Sequence, residues 1–305
     1  MKKILITGGA GFVGSHLAES LLASGYEVSI FDDFSTGKIE NLKKIKDKIK
    51  IIKGDIRDIK KVSNACKGID VILHHAAQIF VPVSMENPVE TMDVNAKGTL
   101  NVLMGAEKNG VKKVILASSS AVYGDTTKIP IKESTPIKPL SPYGISKAIS
   151  EYYCQVFSRM SGIDTFVFRY FNIFGSRQNP HSPYSGVVSK FIDLSKKNSQ
   201  LLIYGDGKQT RDFIPVDKIV EANLLAIKSN LKGSHVFNIG GGKTITVNLL
   251  AELIKDISKS KSSIKHIASR EGDIVHSCAF IKKAESELKW SGKYDIRKEI
   301  SKIIK

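Results

Sequence analysis

Short apolar runs alternate with amphipathic stretches along the first half of the chain. The apolar runs are hydrophobic at consecutive positions, as is typical of strands that are buried on both faces of a parallel sheet. Between them, apolar residues recur at helical spacing. The predicted strands cover 3–7, 27–32, 49–54, 71–75, 113–118 and 165–171, and the predicted helices cover 12–23, 59–66, 88–108 and 142–160. This alternation predicts an α/β fold with a doubly wound parallel sheet.

The rhythm changes after residue 174, where "GSRQNPHSPYSG" is rich in loop-forming residues. Helices are predicted beyond it over 187–197, 217–229, 247–258, 282–288 and 296–304, with one strand over 201–204. We therefore predict a dinucleotide-binding domain over 1–173, to which 212–240 returns. The segments 174–211 and 241–305 are predicted to form a smaller substrate-binding domain.

Three glycines spaced three residues apart, Gly8, Gly11 and Gly14, follow the first predicted strand and open the first predicted helix, in "GGAGFVG". Gly8 permits a tight turn, Gly11 lets a pyrophosphate approach the backbone, and Gly14 lets the helix and strand pack closely. The helix N-terminus adds free N–H groups and a positive dipole end. This context favours a phosphate-binding loop that includes Phe12 and Val13 over a purely structural turn.

Asp32 ends the second predicted strand. A carboxylate there accepts hydrogen bonds from ribose hydroxyls and repels a 2′-phosphate, so the sequence predicts NAD rather than NADP.

Tyr143 and Lys147 lie four residues apart in "SPYGISK", so they share one face of a predicted helix. Because the pKa of tyrosine is normally about 10, a nearby ammonium is needed for the phenol to act as a base near neutral pH. The pair alone could be an exposed tyrosine beside a solvated lysine. After a dinucleotide loop, it favours a catalytic base.

The net charge of +16 comes from 46 Lys and Arg residues among 305. A nucleic-acid partner is one interpretation, but the lysines are scattered and we predict none. The same charge would attract an anionic substrate. No apolar run is long enough for a membrane span, and the separated Cys66, Cys154 and Cys278 favour a reducing cytoplasm without a metal site. Adjacent His74 and His75 would point to opposite faces of a strand and share no metal.

The spacing in "TGGAGFVG", together with "SPYGISK", resembles the extended short-chain dehydrogenase/reductases, which have the Rossmann fold. Further motifs, in this order, resemble the UDP-glucose 4-epimerases and their close relatives acting on UDP-sugars. These motifs are "FDDFSTGK", "GDIRD", "HHAAQ", "NAKGTLNVL", "LASSSAVYG", "RYFNIFGSRQ", "GDGKQTRDFIPVDKIV" and "REGDIVHS".

The resemblance implies roles for particular residues. Ser119 would join Tyr143 and Lys147 as the catalytic hydroxyl, although Ser118 and Ser120 are near enough for a shift of one. Besides the glycine loop and Asp32, the implied cofactor residues are Asp33, Ser35, Thr36, Gly37, Asp55, Ile56, His75, Ala76, Ala77, Asn95 and Tyr170, with Tyr143 and Lys147. The implied substrate residues are Ser119, Asn172, Gly186, Val187, Arg211, Arg270, Asp273 and Ser277.

The resemblance also implies NAD, a UDP-sugar and a 4-keto intermediate. Dehydratases and decarboxylases carry carboxylates where this chain has Ser120 and Ala121. C5 epimerases bring a Cys–Lys pair, and Cys154 is about three helical turns from Tyr143. We therefore expect 4-epimerisation of UDP-glucose and UDP-galactose. The resemblance also implies that the small Ser277 lies beside the C2 substituent of the sugar, so we extend this expectation to the N-acetylated pair.

The resemblance implies a homodimer through the helices at 88–108 and 142–160. A dehydratase or decarboxylase, a non-catalytic NAD-binding sensor and an RNA-associated relative stay open as alternatives.

Overall fold

A computed structural model describes residues 1–180, 186–269 and 275–305. The strands are β1 Lys3–Thr7, β2 Glu27–Asp32, β3 Lys50–Lys53, β4 Val71–His74, β5 Lys113–Ser119, β6 Asp164–Tyr170, β7 Asn172–Phe174, β8 Leu201–Tyr204, β9 Thr210–Arg211, β10 Phe213–Pro215, β11 Ser234–Ile239, β12 Ile245–Thr246 and β13 Ile264–Ile267. The α-helices are α1 Phe12–Ala23, α2 Ile59–Ala65, α3 Val81–Glu86, α4 Pro88–Met92, α5 Gly98–Lys108, α6 Pro142–Ser161, α7 Val187–Lys196, α8 Val216–Lys228, α9 Val247–Ser258, α10 Lys282–Glu287 and α11 Ile296–Ile304.

A seven-stranded parallel sheet forms the centre, in the order β11-β6-β5-β4-β1-β2-β3. The chain moves outward from β1 to β3 and then crosses to β4 on the other side of β1. The strand order therefore reverses between β1 and β4, which is where open α/β sheets bind ligands. The predicted doubly wound, Rossmann-type fold is confirmed.

The predicted helix over 88–108 is interrupted in the structure. Residues Asp93–Lys97 form a π-helical turn between α4 and α5. In this wider turn the buried Asn95 accepts from the N–H of Gln78 at 2.8 Å and donates to its carbonyl at 2.8 Å. Single π-turns inside helices are frequent at functional sites, and this one joins the helix to the loop after β4.

Two apolar layers cover the two faces of the sheet. One packs α1 and α8 against the sheet, and the other packs α2, α5 and α6. A further cluster lies between α7, α9 and α11 and includes Phe191, Leu250 and Ile300. β11, which follows α8, is the edge strand beside β6. The domain bounds stay a prediction.

The outer face of α6 exposes a row of large apolar side chains. Tyr152, Val156 and Met160 lie on this face, and Met104 of α5 is also exposed. In the described part of the chain, no helix is both long and apolar enough to cross a membrane. The exposed row lies on the two helices for which we predict a dimer contact, and the oligomeric state stays a prediction.

A buried ion pair joins the strands and the helix behind the site. The Arg169 guanidinium of β6 meets the Glu151 carboxylate of α6 at 2.6 Å, with the side chains 5% and 2% exposed. Arg169 also donates to the hydroxyl of Tyr123 at 2.9 Å, and that hydroxyl donates to Asn238 of β11 at 2.6 Å. The Ser118 hydroxyl of β5 donates to Glu151 as well. These bonds tie β5, α6, β6 and β11 together.

We predict that Glu151→Gln destabilises the protein by about 3–5 kcal/mol, because it leaves the Arg169 charge buried without its partner. Urea unfolding measures the change. The matched control is Asp193→Asn on α7, which breaks a more exposed pair with Lys197, the residue after this helix, and should cost about 0.5 kcal/mol or less. Equal losses in the two variants would contradict the prediction.

Candidate active site

The turn between β1 and α1 brings backbone against backbone. Gly8 has a φ of +69°, and a Cβ there would lie 2.7 Å from the backbone nitrogen of Ala76. A Cβ on Gly14 would lie 2.1 Å from the carbonyl oxygen of Gly8. Gly11 is the N-cap of α1 and supplies no side-chain cap. The loop therefore leaves the helix N-terminus open to a phosphate, with no room for larger residues at 8 and 14.

Asp32 connects the end of β2 to this turn. Its carboxylate accepts from the N–H of Ala10 at 2.9 Å and from the N–H of Phe34 at 2.8 Å. Burial raises the pKa of Asp32, and these two donors oppose the rise. Each oxygen keeps a second lone pair, which a ribose hydroxyl could use. The sequence indicated the ribose contact but not this support of the glycine turn.

The two adjacent histidines at the end of β4 face opposite ways, as predicted. His74 is buried between the hydroxyls of Thr7 and Thr99, at 2.7 and 3.0 Å. His75 lies 3.2 Å from the hydroxyl of Tyr170, at the end of β6. Burial lowers the pKa of both histidines to about 3, so both are neutral at physiological pH.

The remaining predicted cofactor residues follow the carboxyl ends of β1 to β4 or lie on the helix that faces them. The side chain of Asn95 is hydrogen-bonded to the backbone of Gln78 and donates to the hydroxyl of Ser146 at 2.9 Å. Asp55 pairs with Arg57 at 2.6 Å. The others in these positions are Phe12, Val13, Asp33, Ser35, Thr36, Gly37, Ile56, Ala76 and Ala77. Their contacts with a cofactor stay predictions.

The predicted catalytic residues meet where β5 ends against the first turns of α6. Ser141 caps α6 by accepting from the N–H of Gly144 at 3.1 Å. This places Tyr143 and Lys147 on the buried side, and Lys147 donates to the carbonyl of Ala117 at 2.8 Å. The Ser119 hydroxyl lies near enough to the phenol of Tyr143 to lower the pKa of that phenol.

The structure separates Ser119 from its neighbours. Ser118 points to the other side of β5 and donates to Glu151. Ser120 begins the short 3₁₀ turn Ser120–Tyr123. Of the three serines that the sequence left open, Ser119 is therefore the one that the structure places against Tyr143.

Burial acts on the charges of both members of the Tyr–Lys pair. It raises the pKa of Tyr143, an effect that the nearby Ser119 hydroxyl opposes. It lowers the pKa of Lys147 to about 8, while the negative charge of Glu151 raises it. Lys147 therefore stays a cation near neutral pH and can stabilise a phenolate at Tyr143.

The predicted substrate residues lie beyond the sheet edge. Asn172 donates its backbone and side-chain N–H groups to the carbonyl of Asp212, at 3.1 and 2.9 Å. Arg211 donates to the carbonyls of Thr210 and Val275. Ser277 is buried, and its N–H donates to the carbonyl of Thr210 at 3.2 Å. Gly186 and Val187 open α7, whereas Arg270 and Asp273 lie outside the described residues.

Sequence reasoning missed one charged residue here. Asp212 has no exposed surface, and its carboxylate accepts from the N–H groups of Gly241, Gly242 and Ala279. The available signal was a carboxylate that directly precedes the apolar run "FIPV". A charged residue beside such a run is buried only when it is well bonded.

A glycine turn at a helix N-terminus, a buried carboxylate at the end of β2 and a Ser–Tyr–Lys set lie at the carboxyl ends of one parallel sheet, as in nucleotide-cofactor enzymes of the short-chain dehydrogenase type. Residues 4–240 match the model of the NAD-dependent epimerase/dehydratase family. The chain belongs to this family. The predicted NAD cofactor and the predicted resemblance are confirmed.

Similar proteins carry out more than one reaction. A provisionally assigned UDP-glucose 4-epimerase of Methanocaldococcus jannaschii is 41% identical, over 99% of this chain and 97% of that protein. A UDP-N-acetyl-alpha-D-glucosaminuronate decarboxylase of Bacillus cytotoxicus is 38% identical, over 87% and 83%. The solved UDP-N-acetylglucosamine 4-epimerase of Methanobrevibacter ruminantium, in complex with UDP-N-acetylmuramic acid, is 37% identical, with a TM-score of 0.95 over 99% of this chain and 97% of that one.

We predict that the protein binds NAD more tightly than NADP, because the Asp32 carboxylate repels a 2′-phosphate. Calorimetric titration with each cofactor measures the preference, and Asp32→Asn should narrow it. Glu27→Gln removes a charge from the exposed opposite end of β2 and should leave the preference unchanged. Tighter binding of NADP by the parent protein would show that Asp32 does not select the cofactor.

Proposed function

We propose that this protein interconverts the C4 epimers of a UDP-sugar through a 4-keto intermediate. The proposed substrates are UDP-glucose and UDP-galactose, together with their N-acetylated counterparts. The observation that carries the proposal is that Ser119 and Lys147 both lie beside the Tyr143 phenol, with Ser120 and Ala121 as the two residues after Ser119 along the chain. This arrangement can remove and return a proton at C4 but offers no second acid or base at 120 or 121.

Each residue of the set has a role in the proposed reaction. Tyr143 removes the proton of the C4 hydroxyl. NAD, when bound, would supply the reversible hydride transfer at C4. Lys147 stabilises the phenolate as a nearby cation. The Ser119 hydroxyl donates to the sugar oxygen as charge develops on it. After the keto sugar has turned over in the pocket, the other face of C4 is open to the hydride, and Tyr143 returns the proton to the C4 oxygen.

The family also contains decarboxylases, and the structure favours epimerisation over their reaction. The resemblance associates dehydration and decarboxylation with a carboxylate directly after the catalytic hydroxyl. Ala121 cannot supply it, and Ser120 is a poor acid or base. The buried Glu151 is held by Arg169 and Ser118 on the far side of β5. Intact Ser119, Tyr143 and Lys147 also argue against a non-catalytic sensor.

The direct test incubates the NAD-loaded protein separately with UDP-glucose, UDP-N-acetylglucosamine and UDP-glucuronic acid, and resolves the products by chromatography. The proposal expects the C4 epimer of each of the first two. Release of carbon dioxide from the uronate, with no epimer from the neutral sugars, would instead establish a decarboxylase.

We predict that Tyr143→Phe keeps the fold and the bound NAD but lowers epimerisation by about 10²–10⁴-fold, because the general base is removed. The rate of UDP-galactose formation and the NAD content of the purified protein are measured together. Tyr152→Phe is the control, since Tyr152 lies on the exposed face of the same helix. Activity of Tyr143→Phe within a few-fold of the parent would identify another group as the base.

Ser277 carries the proposal for N-acetylated sugars. The resemblance places it at the wall beside the C2 substituent of the sugar. In the structure it is 7% exposed and held by the carbonyl of Thr210, and its neighbour Cys278 is also small. A serine leaves room for an acetamido group and offers it a hydroxyl.

We predict that Ser277→Tyr loses activity on UDP-N-acetylglucosamine but keeps it on UDP-glucose. Overpacking a rigid pocket costs about 1–3 kcal/mol, or roughly fivefold to more than a hundredfold in rate on the larger substrate. Rates on the two sugars are compared with those of Ser286→Tyr, a control on the exposed side of α10. If the parent protein converts UDP-glucose and leaves UDP-N-acetylglucosamine untouched, the wall lies elsewhere.

A further inference from the structure

The Asp212 carboxyl is fully buried between β9 and β10, and the mechanism above does not use it. One oxygen accepts from the N–H of Gly241 at 2.5 Å. The other accepts from the N–H groups of Gly242 at 3.0 Å and Ala279 at 2.9 Å. Burying a carboxylate has a large free-energy cost that these donors only offset. We therefore ask what the three backbone segments bonded to Asp212 have in common.

The two segments held by the carboxylate are fitted closely to it. A Cβ on Gly240 would lie 3.0 Å from one carboxylate oxygen, and a Cβ on Gly241 would lie 3.1 Å from the other. The loop 240–242 follows β11, the edge strand of the sheet. Ala279 lies in a separate segment, and its partner across an isolated bridge is Ile131.

The same residue holds a third segment through its backbone. The carbonyl of Asp212 accepts both N–H groups of Asn172, as described above. Three of the predicted substrate residues are therefore connected to Asp212. Asn172 is bonded to it, Arg211 precedes it in the chain, and Ser277 lies two residues before Ala279, which is bonded to it.

We propose that Asp212 is a positioning residue for the UDP-sugar site. Its carboxylate fixes the segments that carry Arg211 and Ser277, and its carbonyl fixes Asn172, while the carboxylate is bonded to backbone rather than to substrate. The proposal rests on the proposed function, because it assigns those three residues to the nucleotide sugar. Loss of the carboxylate should then weaken substrate binding and leave the hydride-transfer machinery at Tyr143 intact.

The test compares Asp212→Asn with a matched control. The amide group directs an N–H toward at least one backbone donor, so one bond is lost and one repulsion is gained. Asp164→Asn makes the same change at another buried carboxylate. Asp164 accepts from the N–H of Gly233 at 3.0 Å. It lies at the amino end of β6, whereas the candidate site lies at the carboxyl ends of the strands.

We expect Asp212→Asn to raise the KM and the calorimetric Kd for UDP-glucose about tenfold, as for the loss of a buried charged hydrogen bond. The kcat should stay within about threefold and the NAD content should be unchanged. Asp164→Asn should lower the melting temperature without changing either binding constant. Parental affinity in Asp212→Asn, an equal effect in Asp164→Asn, or a fall in kcat at constant KM would overturn the proposal.

Gly241→Ala is the second variant, in case Asp212→Asn does not fold. Its added methyl would lie 2.8 Å from the carbonyl of Phe213 and 3.1 Å from the Asp212 carboxylate. Because the loop must move away from Asp212, the KM should rise in the same direction with the charge still present. Unchanged KM in a folded Gly241→Ala would count against the proposal. Since Kd can be measured whether or not the bound sugar is converted, a parent protein that binds UDP-glucose but does not convert it refutes the proposed function while Asp212 is still tested. A parent protein that binds neither UDP-glucose nor UDP-N-acetylglucosamine refutes both.

Discussion

The contact of backbone against backbone where β1 turns into α1 is the constraint on which the site depends. Gly8 meets the backbone of Ala76, just after β4, and Gly14 meets the carbonyl of Gly8, at distances that leave no room for a side chain. Because β1 and β4 flank the point where strand order reverses, this contact also fixes the crevice beside it. Asp32 then holds the turn from the β2 side through Ala10. Contacts within the protein alone therefore fix the shape of this turn.

Buried polar groups behind the crevice hold the elements that carry the chemistry. His74 links Thr7 of β1 to Thr99 of α5, and Glu151 links α6 to Arg169 of β6. Such groups are costly to bury and contribute most when every donor and acceptor is matched. Their bonds connect different strands and helices, so they specify relative positions that apolar packing alone would leave adjustable.

The sequence predicted what local pattern determines and missed what tertiary contacts determine. The β1 and β2 strands and the helices α1 and α9 agree with prediction at both ends, because apolar runs and glycine turns fix them locally. β11 was not predicted, since "SHVFNI" has a polar start and a polar residue near its end. The π-turn at Asn95 and the bonds of Asp212 depend on residues far along the chain. Ser119 could be distinguished from Ser118 only when the two faces of β5 were known.

In the proposed reaction, the distribution of binding contacts between the nucleotide end and the sugar end of the substrate decides which chemistry follows oxidation at C4. The keto sugar must turn over to receive the hydride on its other face, so strong contacts to the sugar ring would oppose the reaction. Binding energy is then best placed on the nucleotide end, which does not move. In the proposed assignment, Asn172 and Arg211 belong to that end, and the carbonyl of Asp212 holds Asn172, whereas the small side chains of Ser119 and Ala121 belong to the sugar end. A firm hold on the diphosphate beside a permissive sugar pocket favours epimerisation over chemistry at C5 or C6.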